Sequence, residues 1–324
     1  MKNYITYLFS IFFVTALLVV GLWYFYRENL FHSPLVNSPI PDFLMLSKNN
    51  QVKLLDLWSP VVQQIQGSSG DLPDLTAQSV LMYDLTENKV LYEKDPEIRH
   101  PMASLTKIMT AVIALENPKL DDRYKVASDD VVGEDSMGVS AGEVYTLQNL
   151  LYGLVLHSGN DAAEVLAHNY PGGRSTFIQA MNDKAKALGM LNTVYSNPSG
   201  LQGDGKQYTT TYDLLILTRY ALEHYPIFVR VVSTVNYTIP ATNDHAEINL
   251  SNETNLLTSY PGVKGVKDGY TPQAGLCLVT FLDYGDHKII GIILNSQNRR
   301  GEMKELLDYS LKTVNITPPP FEEN

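Results

Sequence analysis

Two apolar stretches near the C-terminal end of the sequence most constrain its fold. They are LCLVTFLDYG and HKIIGIILNS, and Tyr284-Gly285-Asp286 lies at their junction. Apolar, β-branched runs that meet at a Gly-Asp turn are typical of a β-hairpin. Strands joined by so short a turn are antiparallel, because parallel neighbours need a long crossover connection. The sequence therefore predicts an antiparallel sheet rather than a series of βαβ units.

Strands are predicted at both ends of the globular part, with helices between them. A second hairpin surrounds Glu87-Asn88-Lys89, and VNYTIPA and GVKGVKDGYT are further strands. Thr210 and Asp213 form a predicted capping box at the start of one helix. Apolar residues recur at helical spacing in SLTKIMTAVIALE, LQNLLYGLVLHS, DAAEVLAHNY, RSTFIQAMNDKAKALGM, YTTTYDLLILTRYALEHY and GEMKELLDYSLKTV.

These patterns predict an α+β domain. The N-terminal hairpin and the C-terminal strands are expected to share one sheet, with the closing helix packed on it. The middle helices are expected to form a second lobe, and a cleft between lobes is where a ligand site is expected.

The N-terminal segment predicts a membrane anchor. Tyr4 to Tyr26 contains no charged residue and is long enough for the roughly 20 residues that span a bilayer. It is longer than a signal-peptide core and no small-residue cleavage site ends it. We interpret residues 1–30 as an uncleaved transmembrane signal anchor, 31–75 as a linker, 76–314 as the globular domain and 315–324 as a disordered tail.

Composition excludes several classes of function. The net charge of −11 over 324 residues argues against nucleic acid as a partner, since phosphate binding needs basic patches. The seven histidines show no metal-ligand spacing, and no glycine-rich phosphate loop occurs, so no cofactor is expected. Cys277 is the only cysteine, and in its apolar run it is interpreted as a small buried hydrophobe.

Ser104-Leu105-Thr106-Lys107 is the first candidate for chemistry. On a helix, residues three apart lie on one face, so the hydroxyl and the amine can meet. Lysine can then act as the base that activates the serine if burial or a nearby cation lowers its pKa. About one S-x-x-K is expected by chance in a chain of this length, so the motif alone is more often a solvated surface feature than a catalytic pair.

Ser158-Gly159-Asn160 is the second candidate, at the junction of two helical patterns. Such a loop can aim a hydroxyl and an amide into a cleft. The alternative is that Ser158 or Asn160 caps the following helix.

Lys267-Asp268-Gly269-Tyr270 is the third candidate, on a predicted strand. Lys267 could attract a substrate carboxylate, and Gly269 would let a ligand approach the backbone closely. The N–H of Tyr270 could join that of Ser104 as an oxyanion donor. The alternative is a solvated strand end in which Gly269 marks a bulge.

The order of the three candidates, S-x-x-K, S-x-N and then K-x-G, is the mechanistic set of serine penicillin-binding proteins and β-lactamases. HPMASLTKIMTA, the segment from MGVSAGEVYTL to SGNDAAEVLA, MNDKAKALGMLNTVYSNPSGL, YTTTYDLLIL and GVKDGYTPQAGLCLV closely resemble the low-molecular-mass D-alanyl-D-alanine carboxypeptidases. The resemblance covers residues 77–314. It implies a β-lactamase- or penicillin-binding-protein-like transpeptidase fold and hydrolysis of peptidoglycan stem peptides.

The resemblance implies a role for each candidate in forming an acyl-enzyme. Ser104 would be the acylated nucleophile and Lys107 its base, while Ser158 would relay the proton towards the leaving amine. β-Lactam antibiotics would acylate the same serine.

The resemblance also implies roles in substrate binding. Asn160 would hold the peptide amide of the substrate, and Lys267 would attract its terminal carboxylate. The N–H groups of Ser104 and Tyr270 would form the oxyanion hole. Since peptidoglycan lies outside the cytoplasmic membrane, residues 31–324 are expected to be extracytoplasmic.

Asp268 departs from the family pattern, which usually has Thr or Ser between the lysine and the glycine. An ionised carboxylate beside a bound carboxylate is repulsive unless it is protonated, paired with Lys267 or turned away. We therefore hypothesise that Asp268 weakens carboxylate recognition or shifts the preferred substrate.

Three interpretations remain open at the level of sequence. The first is a D,D-carboxypeptidase, with D,D-endopeptidase activity on crosslinks as an extension. The second is a serine β-lactamase, which is disfavoured because Ser158-Gly159-Asn160 stands where one large class has S-D-N. The third is a membrane-tethered, catalytically weakened peptidoglycan- or penicillin-binding protein, for which Asp268 is the main support.

Overall fold

The computed structural model describes Trp58, Pro60 and residues 73–201, 206–254 and 256–321. The predicted anchor at residues 1–30 and residues 31–57, 59 and 61–72 of the predicted linker lie outside this part. In the part described, no helix combines the length and the apolar composition that crossing a bilayer requires.

A five-stranded antiparallel sheet is built from both ends of the domain. The strands of this sheet and of two small ribbons are β1 (Ser79–Asp84), β2 (Lys89–Lys94), β3 (Tyr124–Lys125), β4 (Val144–Tyr145), β5 (Asn236–Ile239), β6 (Ile248–Ser251), β7 (Val263–Thr271), β8 (Gly275–Tyr284) and β9 (His287–Ser296). The sheet has the order β2-β1-β9-β8-β7, and β3-β4 and β5-β6 are the ribbons. The N-terminal hairpin pairs with the last strand through β1 and β9, as predicted.

The hairpin between β8 and β9 forms at the predicted turn. Tyr284 pairs with His287, so Gly285 and Asp286 are the two turn residues, with φ of 59° and 63°. Positive φ at both central residues is the type I′ geometry that matches the twist of paired strands.

Helices cover the sheet and form the second lobe. They are α1 (Thr106–Glu116), α2 (Leu147–Leu156), α3 (Asn160–His168), α4 (Gly173–Ala187), α5 (Thr211–His224), α6 (Pro226–Val232) and α7 (Arg299–Thr313). Buried residues of α7, among them Met303 and Leu307, pack with Val80, Met82 and Ile293 on one face of the sheet. The other face joins the larger core that α1 to α6 share. The predicted α+β architecture is confirmed. Helix α6 and the strand pairing in the two ribbons were not predicted.

The start of α5 shows half of the predicted capping box. The Thr210 hydroxyl accepts a hydrogen bond from the Asp213 N–H at 3.1 Å. The Asp213 carboxylate does not complete the box but accepts from the Asn192 N–H and the Thr193 hydroxyl. The Asp213 carboxylate therefore accepts hydrogen bonds from residues outside the helix instead of from the N–H of its own N-cap residue.

The end of the chain packs more closely than the predicted disordered tail. Ile316 and Phe321 lie against the core between α7 and the sheet. The guanidinium of Arg300 and the ammonium of Lys304 lie 5.6 and 5.3 Å from the centroid of the Phe321 ring. These apolar and cation–π contacts place Ile316 and Phe321 against the domain, in a segment for which disorder was predicted.

Trp58 of the predicted linker is docked on the domain. Its ring meets Tyr83 edge-on at 5.4 Å and lies 4.4 Å from the Arg219 guanidinium. Its indole N–H donates to the Asn88 side chain at 3.3 Å.

Candidate active site

Ser104 lies in a short 3₁₀ turn, Ala103–Leu105, that leads directly into α1. The turn is unusual because Ala103 has a φ of 47°, a left-handed conformation that costs a non-glycine residue about 1–3 kcal/mol. Two glycines make room for it. A Cβ on Gly200 would lie 1.9 Å from the Ala103 carbonyl oxygen, and one on Gly269 would lie 2.9 Å from the Ser104 nitrogen.

Lys107 meets Ser104 as the motif predicted. Its Nζ lies 2.9 Å from Ser104 Oγ, 2.7 Å from Asn160 Oδ1 and 2.6 Å from the carbonyl oxygen of Ser199. The lysine side chain is completely buried. Burial, followed by the positive charge of Lys267, lowers the pKa of Lys107 well below that of a free lysine.

The three partners of Lys107 fit a neutral amine. A neutral amine has two N–H donors and one lone pair, whereas an ammonium has three donors. Asn160 Oδ1 and the Ser199 carbonyl only accept, and the Ser104 hydroxyl can donate. The neutral lysine can therefore keep all three contacts and accept the Ser104 proton.

A loop that sequence reasoning did not single out supplies the Ser199 carbonyl. Asn197 Oδ1 accepts from the N–H of Ser199 at 3.2 Å and from that of Gly200 at 2.7 Å. These bonds fold the Asn-Pro-Ser-Gly segment into a turn against α1. The turn composition was visible in the sequence, but a backbone carbonyl leaves no side-chain signal.

Asn160 is the first residue of α3 and is buried. Besides Lys107 it binds the 134–135 backbone: its Nδ2 donates to the Glu134 carbonyl, and its N–H donates to the Asp135 carbonyl, both at 2.7 Å. The next residue, Asp161, holds the same loop through the N–H groups of residues 137, 138 and 139. Asp161 was not predicted as part of the site.

Ser158 lies just before this helix with a φ of 54°. It is 7% exposed, and its hydroxyl has no hydrogen-bond partner among the described residues. The N-cap of α3 is Gly159, without a side-chain cap bond. The capping interpretation of Ser158 and Asn160 is therefore wrong.

Lys267 and Asp268 form an ion pair on β7. Lys267 Nζ lies 2.9 Å from Asp268 Oδ1, and Arg299 Nη2 lies 2.6 Å from Asp268 Oδ2. Burial acts to raise the pKa of Asp268, but Lys267 and Arg299 outweigh it and lower the pKa. Asp268 is thus an ionised carboxylate clamped between two cations. Sequence reasoning missed Arg299, which lies far along the chain in no recognisable motif.

Gly269 has a different role from the one predicted. It pairs in register with Cys277, and the irregularity of β7 lies between Val263 and Val266, so the bulge interpretation is wrong. Because Gly269 has no Cβ, the backbone of Ser104 can lie close to it. The prediction was that a ligand would make this close approach. Tyr270 follows and is 60% exposed. The oxyanion role of its N–H stays a prediction.

Cys277 and His157 stand outside the chemistry of the site. Cys277 is buried, and burial raises its pKa to about 11, as expected of a thiol that packs as a hydrophobe. His157 Nδ1 lies 3.4 Å from Glu253 Oε1.

One group in the described part of the chain brings three possible metal ligands within 4.8 Å: Asp84, Glu87 and His287. The Asp84 oxygens already accept from the N–H groups of Thr86 and Glu87 and face His287 Nδ1 at 2.6 Å. The group lies at the hairpin ends of β1 and β9, and its contacts are those of a structural turn.

Comparison with known proteins agrees with this geometry. The family model for D-alanyl-D-alanine carboxypeptidases matches residues 66–298. The chain is 30% identical over 251 residues to the D-alanyl-D-alanine carboxypeptidase DacF of Bacillus subtilis, and 35% identical over 235 residues to DacB2 of Mycobacterium tuberculosis. These alignments cover 75% and 72% of the chain, and 64% and 79% of the respective relatives, so the chain spans slightly less than two thirds of the first.

The fold has solved counterparts. The crystal structure of the Streptomyces K15 DD-transpeptidase aligns with a TM-score of 0.70 at 31% identity. The alignment covers 75% of the chain and 100% of that structure. The predicted transpeptidase-like fold is therefore confirmed.

Proposed function

The chain belongs to the D-alanyl-D-alanine carboxypeptidase family, and from this premise we propose that it removes the terminal D-alanine of peptidoglycan stem peptides through an acyl-enzyme on Ser104. The observation that carries the proposal is the 2.9 Å contact between Ser104 Oγ and the Nζ of a completely buried Lys107. A serine hydroxyl becomes a nucleophile when such a base takes its proton.

Acylation begins with neutral Lys107. Its Nζ takes the proton of Ser104, whose Oγ forms a bond to the carbonyl carbon of the D-Ala-D-Ala peptide. Negative charge develops on the carbonyl oxygen, and the N–H groups of Ser104 and Tyr270 are proposed to stabilise it.

The amide bond then breaks. The proton held by Lys107 passes to the leaving amine of D-alanine. The proposed relay is the Ser158 hydroxyl, which has no hydrogen-bond partner among the described residues. Water attacks the ester carbonyl and releases the shortened peptide, and the proton of that water restores the Ser104 hydroxyl.

Two further side chains are proposed to position the substrate. Asn160 has a second N–H on Nδ2 beyond the one bound to Glu134, and it is proposed to hold the substrate's peptide carbonyl. Lys267 is proposed to attract the charged or polar end of the leaving residue.

The test is release of D-alanine from a stem pentapeptide. We expect release by the wild type and a loss of at least about a thousandfold in Ser104→Ala and Lys107→Gln. Ser128→Ala changes an exposed surface serine and is the control, expected to keep full activity. Equal activity in all four proteins would refute the proposal.

Labelling with a fluorescent penicillin distinguishes the remaining alternatives. A carboxypeptidase is expected to label promptly at Ser104 and to release the label slowly. Rapid turnover of the antibiotic would indicate a β-lactamase. Absence of acylation would indicate a weakened binding protein.

We further propose that residues 1–30 anchor the protein in the cytoplasmic membrane and that the catalytic domain is extracytoplasmic. The support is the uncharged segment Tyr4 to Tyr26 and the location of peptidoglycan. Protease added to spheroplasts should digest the domain, whereas full protection until lysis would contradict this orientation.

A further inference from the structure

Asp268 forms ion pairs with both Lys267 and Arg299, the two cations that could otherwise bind a substrate carboxylate. Its Oδ1 faces Lys267 at 2.9 Å and its Oδ2 faces Arg299 at 2.6 Å. The side chains of Lys267 and Arg299 are 2% and 16% exposed. In this trio of Lys267, Asp268 and Arg299, both oxygens of the carboxylate therefore have a cationic partner before any ligand arrives.

Arg299 is held in place by backbone carbonyl groups of the sheet. Arg299 is the first residue of α7, and its Nη1 donates to the carbonyl of Gly269 at 2.7 Å and approaches that of Cys277 at 3.4 Å. The guanidinium therefore has partners on both β7 and β8. Moving it towards a ligand would break several bonds at once.

The trio consists of two cations and one anion and has a net charge of +1. A threonine in place of Asp268 would leave a charge of +2 and add a hydroxyl donor. An ionised carboxylate only accepts hydrogen bonds, so Asp268 removes a donor and places a like charge beside any carboxylate that binds Lys267.

Lys267 and Asp268 together offer an amide both a hydrogen-bond donor and an acceptor. Lys267 Nζ donates to no described residue other than Asp268, so two of its N–H groups remain for a ligand. Asp268 supplies lone pairs beside them. A carboxamide has one acceptor and an N–H donor, whereas a carboxylate has only acceptors.

We propose that Asp268 makes this site selective for substrates whose leaving residue carries no free carboxylate. The substrate class is a D-Ala-D-Ala-type peptide in which the carboxyl group of the leaving residue is amidated. The inference rests on the proposed function, because it assigns the leaving group in the same acyl transfer.

The experiment compares two peptides that differ only at the C-terminus: diacetyl-L-Lys-D-Ala-D-Ala and its C-terminal amide. The wild type is expected to show a kcat/KM at least about tenfold higher for the amide. Asp268→Thr is expected to reverse the ratio, with most of the change in the acid substrate. Asp268→Asn, which removes the charge at nearly constant shape, should move the ratio in the same direction.

Asp283→Asn removes an exposed carboxylate on β8 and is the matched control, with an unchanged ratio expected. Penicillin acylation of Ser104, measured by mass, is followed in every variant to count folded sites. Acylation with hydrolysis that favours the acid substrate, or with a ratio that Asp268→Thr leaves unchanged, overturns the inference and leaves the proposed function standing. A wild type that neither acylates nor hydrolyses overturns both.

Discussion

At the scale of single residues, the protonation state of Lys107 decides whether Ser104 is reactive. Burial and Lys267 favour the neutral amine, while Asp135, Asp268 and Asp161 oppose them. Acylation needs the neutral amine, so its rate should rise with pH through the pKa of Lys107.

Opposite pH shifts are expected from the two neighbours of Lys107 on β7. Lys267→Gln removes a cation, which makes protonation of Lys107 easier, raises its pKa and moves the rise in rate to higher pH. Asp268→Asn removes an anion and moves it to lower pH. The measurement is the second-order rate constant of penicillin acylation as a function of pH, in which the midpoint and not the amplitude is compared.

Lys264→Gln is the control, because Lys264 lies exposed on the same strand. Its midpoint should equal that of the wild type. If both site variants shift in the same direction, Lys107 is not the group that titrates.

At the scale of secondary-structure elements, the close approach of β7 to the Ser104 turn aligns the nucleophile. A Cβ on Gly269 would lie 2.9 Å from the Ser104 nitrogen and 3.1 Å from the Ala103 Cβ. Backbone atoms cannot yield as a flexible side chain does, so the strand or the turn has to move.

Gly269→Ala is therefore expected to slow penicillin acylation by about a hundredfold, since a displacement of about 1 Å costs that much in a catalytic constellation. Far-UV circular dichroism should stay unchanged. Gly133→Ala is the matched control, because a Cβ added at Gly133 would meet no other atom within 4 Å. Equal acylation rates in the two variants would show that the approach has no catalytic role.

Elements and local motifs were the part of the molecule most accessible to sequence reasoning. Ser104 and Lys107 are three residues apart, so helix geometry alone brings them together. The β8–β9 hairpin was likewise specified by its turn residues. The contact between Arg299 and Asp268 was not predictable, because the tertiary fold places the start of α7 beside β7 and no motif in either segment indicates the other.

At the scale of the whole molecule, Phe321 packs against α7, the helix that covers one face of the sheet. Phe321 contacts the cations of Arg300 and Lys304 and lies near the Tyr260 ring at 6.5 Å. The proline-rich tail shows no periodicity from which this packing could be predicted.

Phe321→Ala is expected to lower the free energy of unfolding by about 1–3 kcal/mol, because it removes a partly buried aromatic ring. Penicillin acylation at Ser104 should be unaffected. Urea unfolding measures the first quantity, with Ile98→Ala, an exposed hydrophobic residue, as the control. A variant with unchanged stability would mean that the tail contacts contribute nothing to the fold.

The central claim is that buried Lys107 activates Ser104 for acyl transfer. The most direct measurement is peptide mapping by mass spectrometry after incubation with benzylpenicillin. The account predicts one covalent adduct on the peptide that contains Ser104, absent in Ser104→Ala and formed at least about a hundredfold more slowly in Lys107→Gln. An adduct on another residue, or an unchanged rate in Lys107→Gln, would contradict it.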